Sequence, residues 1–172
     1  VAAYLQLDKK FFGKLNTSVG MRYEYFDVNG EASRQPVFRT GLNYQVARGT
    51  FARTSFGQGF RFPTIAEKFI NTAVGDLTIY PNEELEAGKA WYAEIGIKQG
   101  FKVKGFKGYV DVAAFWEEYE NFIGFTFGKW GGVQDNLGGL GFRSLNTGNS
   151  NVVGAEVTLM VTGEIGKTTI NV

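Results

Sequence analysis

Residues 14–26 (KLNTSVGMRYEYF) alternate without a break, with Leu15, Thr17, Val19, Met21, Tyr23 and Tyr25 on one side and Asn16, Ser18, Gly20, Arg22 and Glu24 on the other. Successive side chains of an extended chain point to opposite faces, so a period of two over a dozen residues specifies a strand with one apolar and one polar face. The pattern recurs. Residues 37–46 set Phe38, Leu42, Tyr44 and Val46 against Arg39, Gly41, Asn43 and Gln45, and residues 90–98 set Trp91, Ala93, Ile95 and Ile97 against Tyr92, Glu94, Gly96 and Lys98. Residues 109–117 set Val110, Val112, Ala114 and Trp116 against Asp111 and Glu117, with Phe115 on the polar face. Residues 152–162 set Val153, Ala155, Val157, Leu159 and Val161 against Gly154, Glu156, Thr158 and Thr162. A shorter, glycine-rich strand at 51–60, one at 1–7 and a weaker one at 123–127 or 142–145 bring the expected total to about eight, and residues 168–172 begin another.

Connection lengths sort these strands. Short connections are expected at 8–13, 47–50, 99–108 and 163–167, and long ones at 27–36, 61–89 and 118–150. Short turns at one end and long loops at the other are the pattern of an outer-membrane barrel. The strands are also long enough for the roughly 9 to 11 residues that a tilted crossing needs, whereas strands of soluble sheets centre near five or six. Tyr23, Tyr25, Phe38, Trp91 and Trp116 fall near the long-loop end of the apolar face and Tyr44 near the other end, as amphipathic rings at headgroup level would. No run of about 18 apolar residues is present, so a membrane reading means a barrel and not a helix. The fold class expected is therefore all-β, an antiparallel transmembrane β-barrel wall.

The chain has neither Cys nor His, which excludes disulfides, thiolate or imidazole metal sites and every His-based catalytic arrangement. A net charge of +1 without a Lys/Arg run gives no nucleic-acid footprint. The start Val1-Ala2-Ala3-Tyr4 carries no leader pattern. Asp27-Val28-Asn29-Gly30-Glu31 alternates oxygen ligands as a calcium loop does, but lacks the distant bidentate Glu and reads as a polar turn. Gly57-Gln58-Gly59 lacks the spacing and the Lys-Ser/Thr pair of a phosphate loop. Glu117 and Glu118 are adjacent, so on a strand they point apart and cannot share one reacting group. No catalytic residue, metal or cofactor is expected, and the chain is not read as an enzyme.

Three segments in order, GQGFRFPTIAEKF (57–69), YAEIGIK (92–98) and NTGNSNVVGAEVTL (146–159), resemble the C-terminal half of the barrel of TonB-dependent outer-membrane transporters. Gly57, Gly59, Phe60, Arg61 and Pro63 match the family's first pattern; residues 81–88 approximate its second with Pro81 and Asn82 in reversed order. Glu94, Ile95, Gly96 and Lys98 match the third, and Asn146, Gly148, Gly154 and Glu156 the last. The resemblance implies a sector, roughly a third, of a barrel of about 22 strands in the outer membrane of a Gram-negative bacterium. In it, residues 1–172 form part of one barrel domain, with the plug domain and the TonB contact elsewhere in a longer polypeptide. It further implies high-affinity substrate uptake, with lipid, the plug, the TonB complex, a possible surface lipoprotein and a small-molecule, glycan or peptide cargo as partners. Two other readings of the same residues stay open: a small autonomous outer-membrane barrel, adhesive or structural, and a soluble β-sandwich binding module.

Inward glycines (Gly20, Gly41, Gly57, Gly96, Gly154) would let the wall curve and a neighbouring backbone approach. Glu94 and Glu156 would face the lumen, either paired with Arg or Lys across strands or engaged in transport. The Gly- and aromatic-rich stretch 124–141 reads as a surface loop, mobile and ligand-touching or passive. By the family's habit of recognising cargo at the outer face, Arg61, Phe62, Tyr80 and Trp130 are the candidate substrate contacts.

Overall fold

The computed structural model describes residues 1–28, 30–165 and 168–171. Its main feature is an eight-stranded antiparallel sheet, the wall. It is built from β1 (Ala2–Phe11), β2 (Leu15–Val28), β3 (Glu31–Ala47), β4 (Thr50–Arg61), β7 (Gly88–Val103), β8 (Phe106–Glu120), β11 (Ser150–Ile165) and β12 (Thr168–Asn171), in that spatial order. Each strand pairs with the next in the wall, so the order is that of an up-and-down meander. The sheet is open, with β1 and β12 at its two ends. That distinguishes it from the closed small barrel.

The register aligns the alternation across strands. Leu7, Val19, Thr40, Phe56, Ala93, Trp116 and Val153 lie opposite one another from β1 to β11, and the row Leu15, Tyr44, Ala52, Ile97, Val112, Val157 lies four residues further along the strands. One face is thus a continuous apolar band. It is also bare: Val157 is 72% exposed, Val153 70% and Ile95 66%. A water-soluble sandwich would bury such a band against a second sheet; here none of the described residues covers it. The opposite face is polar and hollowed, with a depression of about 780 Å³ lined among others by Gln6, Gly20, Arg22, Glu24 and Arg39.

At one end the strands join by tight turns. Lys104 and Gly105 both adopt positive φ (44° and 88°), the conformation a two-residue hairpin needs, and Gly49 (82°) closes the turn between β3 and β4. The expected fourth short connection includes Gly166 and Lys167, which lie outside the described residues.

The other end departs from expectation in three ways. Residues 27–36 are not a long loop. Strands β2 and β3 stay paired up to Val28 and Glu31, and Asp27 accepts the Tyr25 hydroxyl (3.2 Å) and the Gly30 amide (3.3 Å) at the turn. Beyond a bilayer both faces of a strand are wet, so alternation fades and a strand reads like a loop. Asn29, central to the calcium-like pattern, lies outside the described residues, as does Val172.

Second, the connection 62–87 holds a short helix, α1 (Ile65–Phe69), and two strands, β5 (Thr72–Val74) and β6 (Leu77–Tyr80). Third, residues 123–127 and 142–145 both fall in strands, β9 (Ile123–Lys129) and β10 (Leu140–Asn146), but neither belongs to the wall. They join β5 and β6 in a separate four-stranded sheet of order β5-β6-β10-β9. The eighth wall strand is β12. The stretch 124–141 is accordingly half strand: Phe125 and Phe127 alternate with Gly124, Thr126 and Gly128, a period of two that the glycines disguise.

Candidate functional site

The polar face of the wall carries a fixed cluster of charges. Arg53 on β4 donates from Nε to Glu94 Oε1 on β7 (2.8 Å) and from Nη1 to Asp111 on β8 (2.5 Å). Tyr92 donates its hydroxyl to the second Glu94 oxygen at 2.5 Å. One guanidinium thereby spans three strands and satisfies two carboxylates, a geometry its planar fork supplies and a lysine would not. Of the two readings of Glu94, cross-strand pairing is what the geometry shows. Glu156 lies on the same face, opposite Ala113, and is exposed.

Two motif glycines acquire a reason here. A Cβ on Gly96 would sit 3.2 Å from the Arg53 guanidinium carbon and 3.0 Å from the Val112 carbonyl, so its absence makes room for the ion cluster. A Cβ on Gly154 would lie 2.5 Å from the tip of the Phe115 ring. Phe115 folds across β11 and stacks on Tyr92 with centroids 6.1 Å apart. These glycines receive side chains of neighbouring strands; Gly41 and Gly57 face open space.

The long-connection end forms a folded body. Arg61, the last residue of β4, pairs with Glu67 of α1. Thr64 caps that helix, its hydroxyl accepting the Glu67 amide (3.2 Å) while Glu67 accepts the Thr64 amide (2.8 Å), a reciprocal capping box. Burial pushes the Glu67 carboxyl up, but the Thr64 amide, the Arg61 guanidinium and the Thr64 hydroxyl outweigh it and hold it below its ordinary value. Phe62 stacks on Phe26 of β2 at 5.5 Å with rings nearly parallel, tying the base of the connection to the neighbouring hairpin. Gly59 and Phe60 precede it on β4 and Pro63 is buried.

Tyr80 and Trp130 come together further out. Gly131 lies beneath the Tyr80 ring, since a Cβ there would meet the hydroxyl at 2.4 Å. Arg143 sits 5.9 Å from the Trp130 ring centroid and pairs in register with Tyr80. The Tyr80 hydroxyl and Trp130 Nε1 are buried with no hydrogen-bond partner among the described residues. Of the four candidate contacts, these two share a neighbourhood, while Arg61 and Phe62 lie at the base and are engaged in internal contacts.

Two asparagines fasten the body. Asn82, 6% exposed, donates to the Ser144 carbonyl (2.8 Å) and accepts from Arg143 Nη2 (3.2 Å), while Arg143 Nε reaches the Pro81 carbonyl (3.0 Å). Asn146 accepts the Glu86 amide (2.9 Å) and donates to the carbonyls of Glu86 (3.0 Å) and Asn121 (3.1 Å). Gly148 follows with φ of 101° and its carbonyl accepts the Phe122 amide (2.9 Å). The motif residues 81–88 and 146–148 therefore meet across 60 residues of chain. Arg143 and Arg53 have no place in the sequence motifs, and Asn82 and Asp111 stand there only as a motif position and a polar-face residue. Face parity places Arg53, Glu94 and Asp111 together, but only the register shows which of them touch.

The profile of the family described as TonB dependent receptor-like, beta-barrel matches residues 1–169. No match was found among curated protein sequences. Solved structures share the fold. A double mutant of the Serratia marcescens hemophore receptor HasR, in complex with its hemophore HasA and heme, superposes with a TM-score of 0.73 at 18% identity, covering 93% of this chain and 31% of that one. The siderophore receptor PirA from Pseudomonas aeruginosa gives 0.74 at 16% identity, covering 92% and 30%. The FrpB iron transporter from Neisseria meningitidis gives 0.61 at 16%, covering 99% and 24%. The chain thus spans less than a third of the length of these relatives. Members of the matched family are receptors and transporters of the Gram-negative outer membrane. With an inside-out wall and a family profile that covers nearly every residue, the chain belongs to the TonB-dependent receptor-like β-barrel family.

Proposed function

We propose that residues 1–172 supply wall strands and extracellular loops of a TonB-dependent active transporter for high-affinity uptake across a Gram-negative outer membrane. The observation that carries this reading is the sidedness of the wall. Its apolar band is bare where lipid would lie, and its polar face holds the Arg53–Glu94–Asp111 cluster where water or an internal domain would lie. Backbone groups at the ends of the open sheet need partners in a bilayer, and further strands of a longer polypeptide supply them. In this reading the plug lies against the polar face, TonB acts on the plug, and the folded body at the long-connection end faces the exterior. Tyr80 and Trp130, each with a buried donor lacking an acceptor among the described residues, and Arg61 and Phe62 at its base are the proposed cargo contacts. Siderophore receptors, a hemophore receptor in complex with its hemophore and heme, and an iron transporter stand beside a copper transporter among the similar structures, which favours an iron chelate or heme as cargo. A surface lipoprotein partner is compatible with this body.

The test is growth of an iron-starved Gram-negative host that lacks its own receptors and expresses the full polypeptide. Ferric siderophores and heme are supplied singly, with and without a functional TonB. TonB-dependent growth on one of them supports the proposal. Binding without uptake, or uptake that persists without TonB, overturns it.

A further inference from the structure

The outer part of the first long connection, beyond its capped helix, does not have the means to hold its own shape. Its β5–β6 hairpin is paired over three residues, Thr72–Ile79, Ala73–Thr78 and Val74–Leu77, and an isolated two-stranded hairpin is marginal at best even when longer. The second connection is better provided, with seven register pairs between β9 and β10. What orders β5–β6 is its parallel seam with β10, again three residues: Thr78–Gly141, Ile79–Phe142 and Tyr80–Arg143. That seam tolerates no side chain at Gly141, where a Cβ would lie 2.1 Å from the Thr78 carbonyl oxygen. Flanking it, Asn82 and Asn146 carry side-chain hydrogen bonds between the two connections, alongside those of Arg143 to the Pro81 carbonyl and of Asn121 to Glu86.

We infer that the two long connections form one cooperative unit. β5–β6 folds only as an addition to β10, and Asn82, Asn146 and Gly141 are the positioning residues that couple them. A disturbance of the second connection would then release the first, although no covalent bond joins them nearer than strands β7 and β8. The inference rests on the geometry of the body and is independent of the cargo.

Hydrogen exchange of the full polypeptide in detergent or lipid discs tests it. In Gly141→Val, amides of 72–80 are expected to exchange about tenfold or more faster, because the seam they depend on is wedged open. Wall amides such as those of 92–98 and 110–116 remain protected and show that the barrel is formed. Asn146→Ala, which leaves the seam intact, is expected to accelerate exchange at Glu86 in the opposite connection. It serves as the second variant where Gly141→Val fails to insert. A paired measurement uses spin labels on cysteines placed at Val74 and Val133, both well exposed and in different connections, in a region that has no cysteine of its own. The native protein should give one narrow distance distribution that Gly141→Val broadens. Acceleration confined to the substituted connection, or a broad distribution in the native protein, overturns the inference.

Discussion

The wall and the folded body at its end are sheets of similar amino acids that obey opposite rules. In the wall the large apolar residues are mostly exposed, and Glu24 on the polar face is only 8% exposed. The body instead has a small core: Leu85 is 3% exposed and Ile123 8%, and Asn82 and Ser144 are buried with hydrogen bonds, while Val74, Phe125, Phe127 and Val133 stay on its surface. Of the three buried hydrophobic residues among those described, only Ala113 is in the wall. The wall has no core of its own, because it uses lipid as its apolar phase. The body makes a small core of its own where its two connections meet. A substitution should therefore be judged by which solvent its face meets.

The sharpest way to break this comparison is a charge on the apolar band. Val157→Arg should lower the stability of the folded barrel by about 2–4 kcal/mol if the site is near mid-bilayer. Val19→Arg should act alike, while Ser18→Arg on the polar face should be far milder. Urea titration in lipid vesicles measures this, and equal tolerance at the two faces would contradict the sidedness.

Next in size is the ion cluster. Arg53→Leu leaves Glu94 and Asp111 facing each other without a counter-charge, and a loss of about 2 kcal/mol is expected, below that of a fully buried pair because all three side chains are partly exposed. The triple replacement of Arg53, Glu94 and Asp111 by apolar residues of similar size should recover much of it. A triple variant no better than Arg53→Leu would mean that the charges do more than satisfy one another.

A smaller effect, about 1–2 kcal/mol, is expected for Gly154→Ala, whose methyl must displace the Phe115 ring from Tyr92. Pairing it with Phe115→Leu should restore stability; no recovery would show that the glycine serves something other than ring packing.

The smallest effect belongs to the base of the body. Thr64→Ala removes the helix cap for about 1 kcal/mol of local stability. Glu67 adds a pH dependence. Its folded value is depressed, so its contribution is complete above the ordinary carboxylate value of 4.5 and is lost as the pH falls from there through the folded value. Exchange of α1 amides should accelerate on acidification across that window, and Glu67→Gln should abolish the dependence. The wall should show no parallel change at its mid-bilayer amides.

Much of this was legible before any coordinates. Alternation gave five of the wall strands and both faces, and the sequence also pointed to strands at 1–7, 51–60 and 168–172. The segments 57–69, 92–98 and 146–159 identified the family. What failed was located where the chain leaves the bilayer. At 27–36 the strands run on after their two faces have ceased to differ, and alternation loses its cause. One wall strand is expected at 123–127 or 142–145, whereas both segments are strands of the second sheet, since a periodicity says which residues share a face and not which strand lies beside it. The candidate contacts divide for the same reason: Tyr80 and Trp130 meet through the β6–β10 seam, whereas Arg61 and Phe62 were drawn into local pairing with Glu67 and Phe26.

By itself the sequence determined a strand-built wall with one apolar and one polar face, because side-chain direction follows directly from position in an extended chain. It also determined where the wall turns tightly, because positive φ at Gly49 and Gly105 is a local requirement. Only the tertiary structure decided that Arg53 joins Glu94 to Asp111, that Phe115 occupies the space above Gly154, and that two connections some 60 residues apart share one sheet. Those facts depend on register and on the packing of distant segments, and no local periodicity encodes either.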